Sequence, residues 1–216
     1  MHFKDVVARL EQELSRALPG AAAHEHLAPV PRRQWPAGFS PAHVRHAAGL
    51  LLVFPKTVDA SELAHILLTV RADTLGRHGG QVSLPGGVVD PHETYEQAAL
   101  REAHEEVGLA QDQVRILGAL TPLDIPVSGF RLHPIVGASE TRPHLTPAGD
   151  EVARILDIDV DRLLARDCLI HTARERDGVP FTIPGFHVDG VEIWGATAMV
   201  LAEFLSVLGW TGPKSV

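Results

Sequence analysis

The chain has 216 residues, 45% hydrophobic and 21% charged, with a formal net charge of −8 and a single cysteine, Cys168. That size and composition suit one globular domain over residues 1–216, and the negative charge excludes a surface built for non-specific nucleic-acid binding. One cysteine excludes an internal disulfide and a multi-cysteine metal site, and no apolar run of roughly 18 residues offers a membrane span or a signal-peptide core, so a cytoplasmic protein without membrane partners is expected.

In chain order, Phe3, Val6, Val7, Leu10, Leu14 and Leu18 recur at helical spacing, which predicts an amphipathic helix over 3–18 closed by Pro19 and Gly20. Residues 21–45 carry four prolines and read as an irregular connector, so that 1–46 form a helix and a connector ahead of a core at 47–208. "AAGLLLVFP" (47–55) and "LAHILLTVRA" (63–72) are apolar enough to be strands buried on both faces. A further strand is expected at 81–87, then a helix from Tyr95, strands at 114–120 and 130–140, a short helix near 157–165, and strands near 168–175, 180–188 and 191–194. A last helix over 196–208 completes the pattern. Asp177-Gly178 and Asp189-Gly190 are hairpin-turn signals. Intermixed helices and hairpin-joined strands predict a mixed sheet with helices packed on it.

The helix from Tyr95 poses the central question. Thr94 and Gln97 form a capping box and Gly108 is a natural stop. At about 100° per residue, Ala99, Leu100, Ala103 and Val107 make one stripe, and Glu102, Glu105 and Glu106 make another beside it. Like charges at that spacing repel by a few tenths of a kcal/mol per pair, and carboxylates in the last turns oppose the helix dipole by roughly 0.3–1 kcal/mol each. Only Arg101 in the helix is placed to offset them. Two readings account for this stripe: a solvated acidic face, which would usually interleave lysines, and a site for a divalent cation bound through hard oxygen ligands.

Gly87, Glu93 and "REAHEEVGL" (101–109) together resemble the Nudix box, GX5EX7REUXEEXGU, at every specified position. A chance match is on the order of one in 10⁸ to 10⁹ per window at average residue usage. The resemblance implies a Nudix fold, an α/β (α+β) protein with an α/β/α sandwich around a mixed sheet, and hydrolysis of a nucleoside diphosphate linked to another moiety. It implies Mg²⁺ (or Mn²⁺) as cofactor, held by Glu102, Glu105, Glu106 and the Gly86 carbonyl, with Arg101 and Glu93 as the pair that orients the ligands. Bound metal would stabilise charge on the leaving oxygen and lower the pKa of the attacking water, with a carboxylate, here assigned to Glu102, accepting the proton. Asp150 and Glu151 are candidates for an extra ligand or base, or alternatively for the cap of the following helix.

"LLTVRADTLGRHGGQVSLPGG" (67–87) is in turn similar to the segment preceding the box in coenzyme A diphosphatases, LLTxR[SA]xxLRxHxGQvxFPGG, with departures at Gly76, usually Arg, and Leu84, usually Phe. "LDIPVSGFRLHPIVG" (123–137), "GDEV" (149–152) and "IWGATA" (193–198) look like that subfamily too. This implies substrate contacts from Arg71, Arg77, His78, Gln81, Phe130 and Arg131 and a coenzyme A or acyl-coenzyme A substrate. The departures leave open another diphosphate, such as ADP-ribose, NADH, a dinucleoside polyphosphate or a nucleoside triphosphate. A catalytically silent nucleotide sensor is disfavoured because no box carboxylate is missing. The resemblance and the amphipathic first helix also allow a homodimer.

Of the 13 histidines, none sits at zinc-ligand spacing with a third ligand, so His24, His26, His43 and His46 are expected at the surface. His104 is expected to face solvent, Cys168 to be a buried small hydrophobe, and Trp194 to pack in the core or stack on a base.

Overall fold

The computed structural model describes residues 1–57, 63–72, 80–147, 151–176 and 179–213. Its organising strand is β1 (Arg45–Pro55), buried from Ala48 onward because its sequence offers no polar face. Along one edge β1 runs parallel to β7 (Phe130–Ala138), in register from Arg45↔Phe130 to Val53↔Ala138. Along the other it takes two antiparallel partners in succession: β4 (Gly86–Val88) against Ala47–Gly49, and β2 (Ala64–Arg71) against Val53–Pro55. Outside these, β3 (Val82–Ser83) and β8 (Val152–Asp159) pair with β2, and β5 (Arg115–Ala119) and β6 (Leu123–Ile125) with β7. The result is a mixed eight-stranded sheet. A three-stranded antiparallel sheet follows: β9 (Leu169–Arg176), β10 (Val179–Val188) and β11 (Val191–Trp194).

Strand alternation divides the core. Leu50, Leu52 and Phe54 of β1 pack with Leu67, Ile135 and the Ala99, Ala103 and Val107 stripe of helix α3 (Tyr95–Val107). Leu51 and Val53 face the other way, into a larger cluster containing Phe3, Val6 and Leu10 of α1 (Phe3–Glu13) and most of α5 (Gly195–Val207). α5 also packs on β10 and β11, so the smaller sheet belongs to this second side. Helices on both faces of a mixed sheet are the α/β/α arrangement that the sequence resemblance implied.

Several boundaries differ from expectation, each for a local reason. The first helix stops at Glu13; Ser15 turns its hydroxyl back onto the Gln12 carbonyl (2.9 Å), Leu14 packs on the core from the helix cap and Leu18 from beyond it. The expected strand at 81–87 is two short strands on different partners, because the chain leaves β2 after Ser83 and joins β1 at Gly86, across Pro85, whose nitrogen has no hydrogen to donate. The expected short helix near 157–165 starts only at Val160: Val152–Asp159 is β8, with Leu156, Ile158 and Val160 buried between half-exposed Asp157 and Asp159, and α4 (Val160–Leu164) follows. A period of two was present there and was outweighed by the helix-forming composition. The connector holds a short helix, α2 (Ala21–His24), and 3-10 turns at Glu25–Leu27 and Pro41–His43. Asp189 and Gly190, at φ 50° and 78°, make the expected two-residue hairpin turn, and Asp177-Gly178 lies outside the described residues.

His24 is not at the surface. It is 2% exposed and bonds through Nε2 to Glu203 of α5 (3.0 Å), itself fully buried. Glu203 also accepts from Gly20 N (2.9 Å), Thr121 N (3.0 Å) and Thr121 Oγ1 (2.6 Å). Burial alone would raise this carboxyl, but the bonds from His24 and Thr121 outweigh it and hold it below the usual range. A folded-state pKa below the unfolded value means the carboxylate stabilises the fold above the unfolded pKa, and loses that contribution as pH falls through the folded one. Four donors converge on two oxygens, so an amide, which must turn an NH₂ toward one pair, cannot replace it. Glu203→Gln should therefore lower stability by about 2–4 kcal/mol in urea unfolding at pH 7, and should remove the acid-induced part of the wild-type destabilisation below about pH 4.5.

Candidate active site

The capping box forms as the sequence predicts: Thr94 Oγ1 accepts from Gln97 N (3.2 Å), and Gln97 Oε1 accepts from Thr94 N (2.9 Å). At the other end Gly108, at φ 68°, closes the helix in the left-handed conformation that glycine adopts freely. These two stops fix which carboxylates fall in the last turns. Two glycines then allow β4 to approach. A Cβ on Gly86 would lie 2.3 Å from the Ala48 carbonyl oxygen, and one on Gly87 would lie 2.5 Å from the Glu102 carboxyl carbon. Glu102 thus rests directly on the backbone of Gly87.

The three box carboxylates form a gradient from solvent to core. The Glu105 side chain is 56% exposed and that of Glu102 18%, while Glu106 is 7% exposed as a residue. Arg101 spreads one guanidinium over this group. Its Nε and Nη2 donate to Glu93 (2.9 and 3.1 Å), its Nη1 to Glu102 (2.8 Å) and Glu105 (3.1 Å), and Nη2 also to the Val88 carbonyl (3.1 Å). The fork from Arg101 holds the Glu93 carboxyl below its ordinary range and pushes the guanidinium pKa further up. Only a planar fork can serve these five oxygens at fixed angles, so lysine would not substitute. Glu106 is outside this network and accepts from Gly86 N (3.3 Å). Burial, with Glu102 and Glu151 adding like charge, drives its carboxyl up to about 7 against the opposing effects of the Gly86 bond and the nearby Arg71 charge.

Among the described residues no three acidic or histidine side chains converge as a ready-made cation cage, since Arg101 draws Glu102 and Glu105 to itself. The donor chemistry nonetheless fits a hard divalent ion. A buried carboxylate under like-charge stress, beside two more carboxylates with free oxygens, is the arrangement that a dication relieves. Glu102, Glu105 and Glu106 are the residues that would hold it. The structure shows the Gly86 amide, rather than its carbonyl, turned to Glu106.

Arg71 ends β2 near Glu106 and makes no ion pair among the described residues; its N–H donates to Gln81 O (3.0 Å). Glu151 is exposed, accepts from Ala72 N through its carbonyl (2.8 Å), and carries a charge that Glu106 senses. It precedes a strand, so it caps no helix. Arg77, His78 and Asp150 lie outside the described residues. Phe130 and Arg131 are elsewhere: they pair with Arg45 and His46 at the start of β1, four strand positions or roughly 13 Å from Gly49, the partner of Gly86. The Arg45 guanidinium lies 4.0 Å over the Phe130 ring, and Arg131 grips Asp124 through two bonds (2.6 and 3.1 Å). His104 is exposed, its Nδ1 2.9 Å from the Leu109 carbonyl, and Cys168 is buried with its thiol pushed up to about 11 by that burial. Unexpected from sequence is an aromatic group at the start of α3. Tyr95 stacks on His133 at 3.6 Å and 9°, and His133 Nε2 lies 2.8 Å from His46 Nδ1. No sequence signal marked it, because it depends on the register of β1 against β7.

Comparison with known proteins decides the family. The NUDIX domain model matches residues 45–166, more than half of the chain. The chain belongs to the NUDIX family. It is similar to the uncharacterized Nudix hydrolase NudL of Pectobacterium atrosepticum, at 34% identity over 173 residues, covering 79% of this chain and 86% of that protein. The NudL of Yersinia enterocolitica is 35% identical over 167 residues, covering 77% and 82%. A crystal structure of the Mycobacterium smegmatis Nudix hydrolase RenU matches with a TM-score of 0.47 at 30% identity, over 56% of this chain and 73% of that one. By the domain match and the NudL relatives the protein is a Nudix hydrolase, of a family that hydrolyses anhydrides of small nucleotide derivatives and generally uses divalent metal ions. Among the described residues no helix is long and apolar enough to cross a membrane.

Two substitutions test this geometry. Gly87→Ala should displace the Glu102 carboxylate by about an ångström and lower kcat about 100-fold, with an unchanged far-ultraviolet circular dichroism spectrum. Glu106→Gln removes a costly buried charge, so it should raise metal-free stability by about 1–2 kcal/mol in denaturant unfolding while abolishing both turnover and thermal stabilisation by Mg²⁺.

Proposed function

We propose that this Nudix hydrolase is a coenzyme A or acyl-coenzyme A diphosphatase that yields 3′,5′-ADP and (acyl-)phosphopantetheine. The observation that carries this reading is the segment before the box. "LLTVR" and, but for Leu84, "GQVSLPGG" fit the coenzyme A diphosphatase pattern, and their residues Arg71 and Gly86 lie beside Glu106. Arg71, with no ion pair among the described residues, is available to an anionic diphosphate oxygen.

Mg²⁺ or Mn²⁺, held by Glu102, Glu105 and Glu106, would stabilise the developing charge on the leaving phosphate oxygen and acidify the attacking water. Arg101 orients Glu102 and Glu105 through its Nη1 and is itself anchored by Glu93 and the Val88 carbonyl. Glu102 or Glu151 accepts the proton of the water; both are charged neighbours of Glu106, and Glu102 is the better positioned of the two by its contact with Gly87. Closely packed Gly86 and Gly87 keep this end of α3 rigid against β1, which is what a metal site requires of its ligands. A cytoplasmic address suits both the chemistry and a lone buried cysteine.

Turnover of coenzyme A should be compared with that of ADP-ribose, NADH and diadenosine polyphosphates, with Mg²⁺, Mn²⁺ or a chelator, reading products by chromatography. We expect 3′,5′-ADP only with metal, coenzyme A preferred, and Glu105→Gln reducing kcat at least 100-fold. Preference for another diphosphate would remove the coenzyme A assignment and leave the Nudix chemistry standing.

A further inference from the structure

A cavity of about 530 Å³ lies next to the Glu93–Arg101 pair, lined by Arg45, His46, Val88, Tyr95 and Glu96 among others, with Glu93 in its wall. Val88 and Tyr95 are two of the four large apolar side chains that stand exposed among the described residues, at 49% and 37%. Exposed apolar surface gathered in one cavity, beside the machinery of a nucleotide hydrolase, points to a ligand.

The arrangement of the rings shows what kind. One face of the Tyr95 ring is covered by His133, parallel at 3.6 Å. His46 is the third ring of the group, inclined 26° to Tyr95 with centroids 6.0 Å apart and 29° to His133 with centroids 5.1 Å apart, its Nδ1 2.8 Å from His133 Nε2 and 3.4 Å from Tyr95 Oη. Tyr95 is thus backed by His133 while it remains 37% exposed and lines the cavity. His133 is kept neutral, its pKa lowered to about 4 by burial and by the His46 and Arg131 charges, so the stack carries no charge of its own. Around it are an acceptor, Glu96, and a cation, Arg45, at the cavity rim.

We infer that the outer face of Tyr95 is the stacking platform for the adenine base of the substrate, with Val88 flanking the base and Glu96 in reach of its amino group. Aromatic rings bind bases in this way whatever their sequence context, because every base presents a π-face. The cavity shares Glu93 with the Arg101 network, so a nucleotide seated there directs its phosphates along β4 toward Glu102. The inference rests on the proposed substrate only for the identity of the base; the site itself is tested without turnover.

Tyr95 is the only tyrosine in the chain, so 3-fluorotyrosine labelling of the full-length protein gives a single ¹⁹F reporter on the platform. Titration with 3′,5′-ADP and with AMP should shift that signal saturably, and ribose 5-phosphate at equal concentration should not. In steady-state assays Tyr95→Ala should raise KM for the preferred adenine-containing diphosphate about tenfold with a much smaller change in kcat, and Tyr95→Phe should restore it. A ¹⁹F signal indifferent to both nucleotides, or moved equally by ribose 5-phosphate, overturns the inference even if coenzyme A is hydrolysed. A shift by both nucleotides upholds it even if coenzyme A is not the substrate.

Discussion

Three carboxylates crowded into the last two turns of one helix are the constraint from which the site's architecture follows. Unpaired, they repel one another and oppose the dipole of α3, and burying Glu106 raises the cost further. Arg101 offsets part of this through Glu102 and Glu105 and is itself tethered to Glu93 across the loop. Its positive charge does not reach Glu106 by a hydrogen bond. The uncompensated remainder is strain that a bound dication would relieve, the usual relation between stability and function at such sites.

Holding that strain requires a stiff support. β1 provides it, buried on both faces and paired along both edges, and Gly86 and Gly87 allow β4 to lie against it without a side chain intervening. On the far side the Glu203 carboxylate ties α2, the segment before β6 and α5 together through four donors. The two buried glutamates are opposites in chemical state. Glu203 is saturated by donors and stays charged, while Glu106 has one backbone donor and two acidic neighbours and is pushed toward neutrality. The number of donors facing each carboxylate accounts for the difference: one serves structure, the other keeps its oxygens available.

Much was legible in the sequence. Spacing singled out Glu93, Arg101, Glu102, Glu105 and Glu106 as neighbours because their proximity depends on one helix and its caps, which are local properties. β1 and β2 were legible because a strand buried on both faces leaves an unbroken apolar run. β8 was not, since its alternation of Leu156, Asp157, Ile158 and Asp159 lies in a stretch whose composition also suits a helix. Nor was the burial of His24, which needs Glu203 from 179 residues away to satisfy it.

By itself, then, the amino-acid sequence determined the helix that carries the candidate site, its cluster of carboxylates and the family, since helical periodicity turns residue spacing directly into geometry. Tertiary structure alone decided which of those carboxylates is buried, that Gly87 supports Glu102, and that Tyr95, His133 and His46 meet. Those contacts depend on the parallel register of β1 with β7 and on the docking of α3 across both. Such register is set by the packing of the whole sheet, and no short segment encodes it.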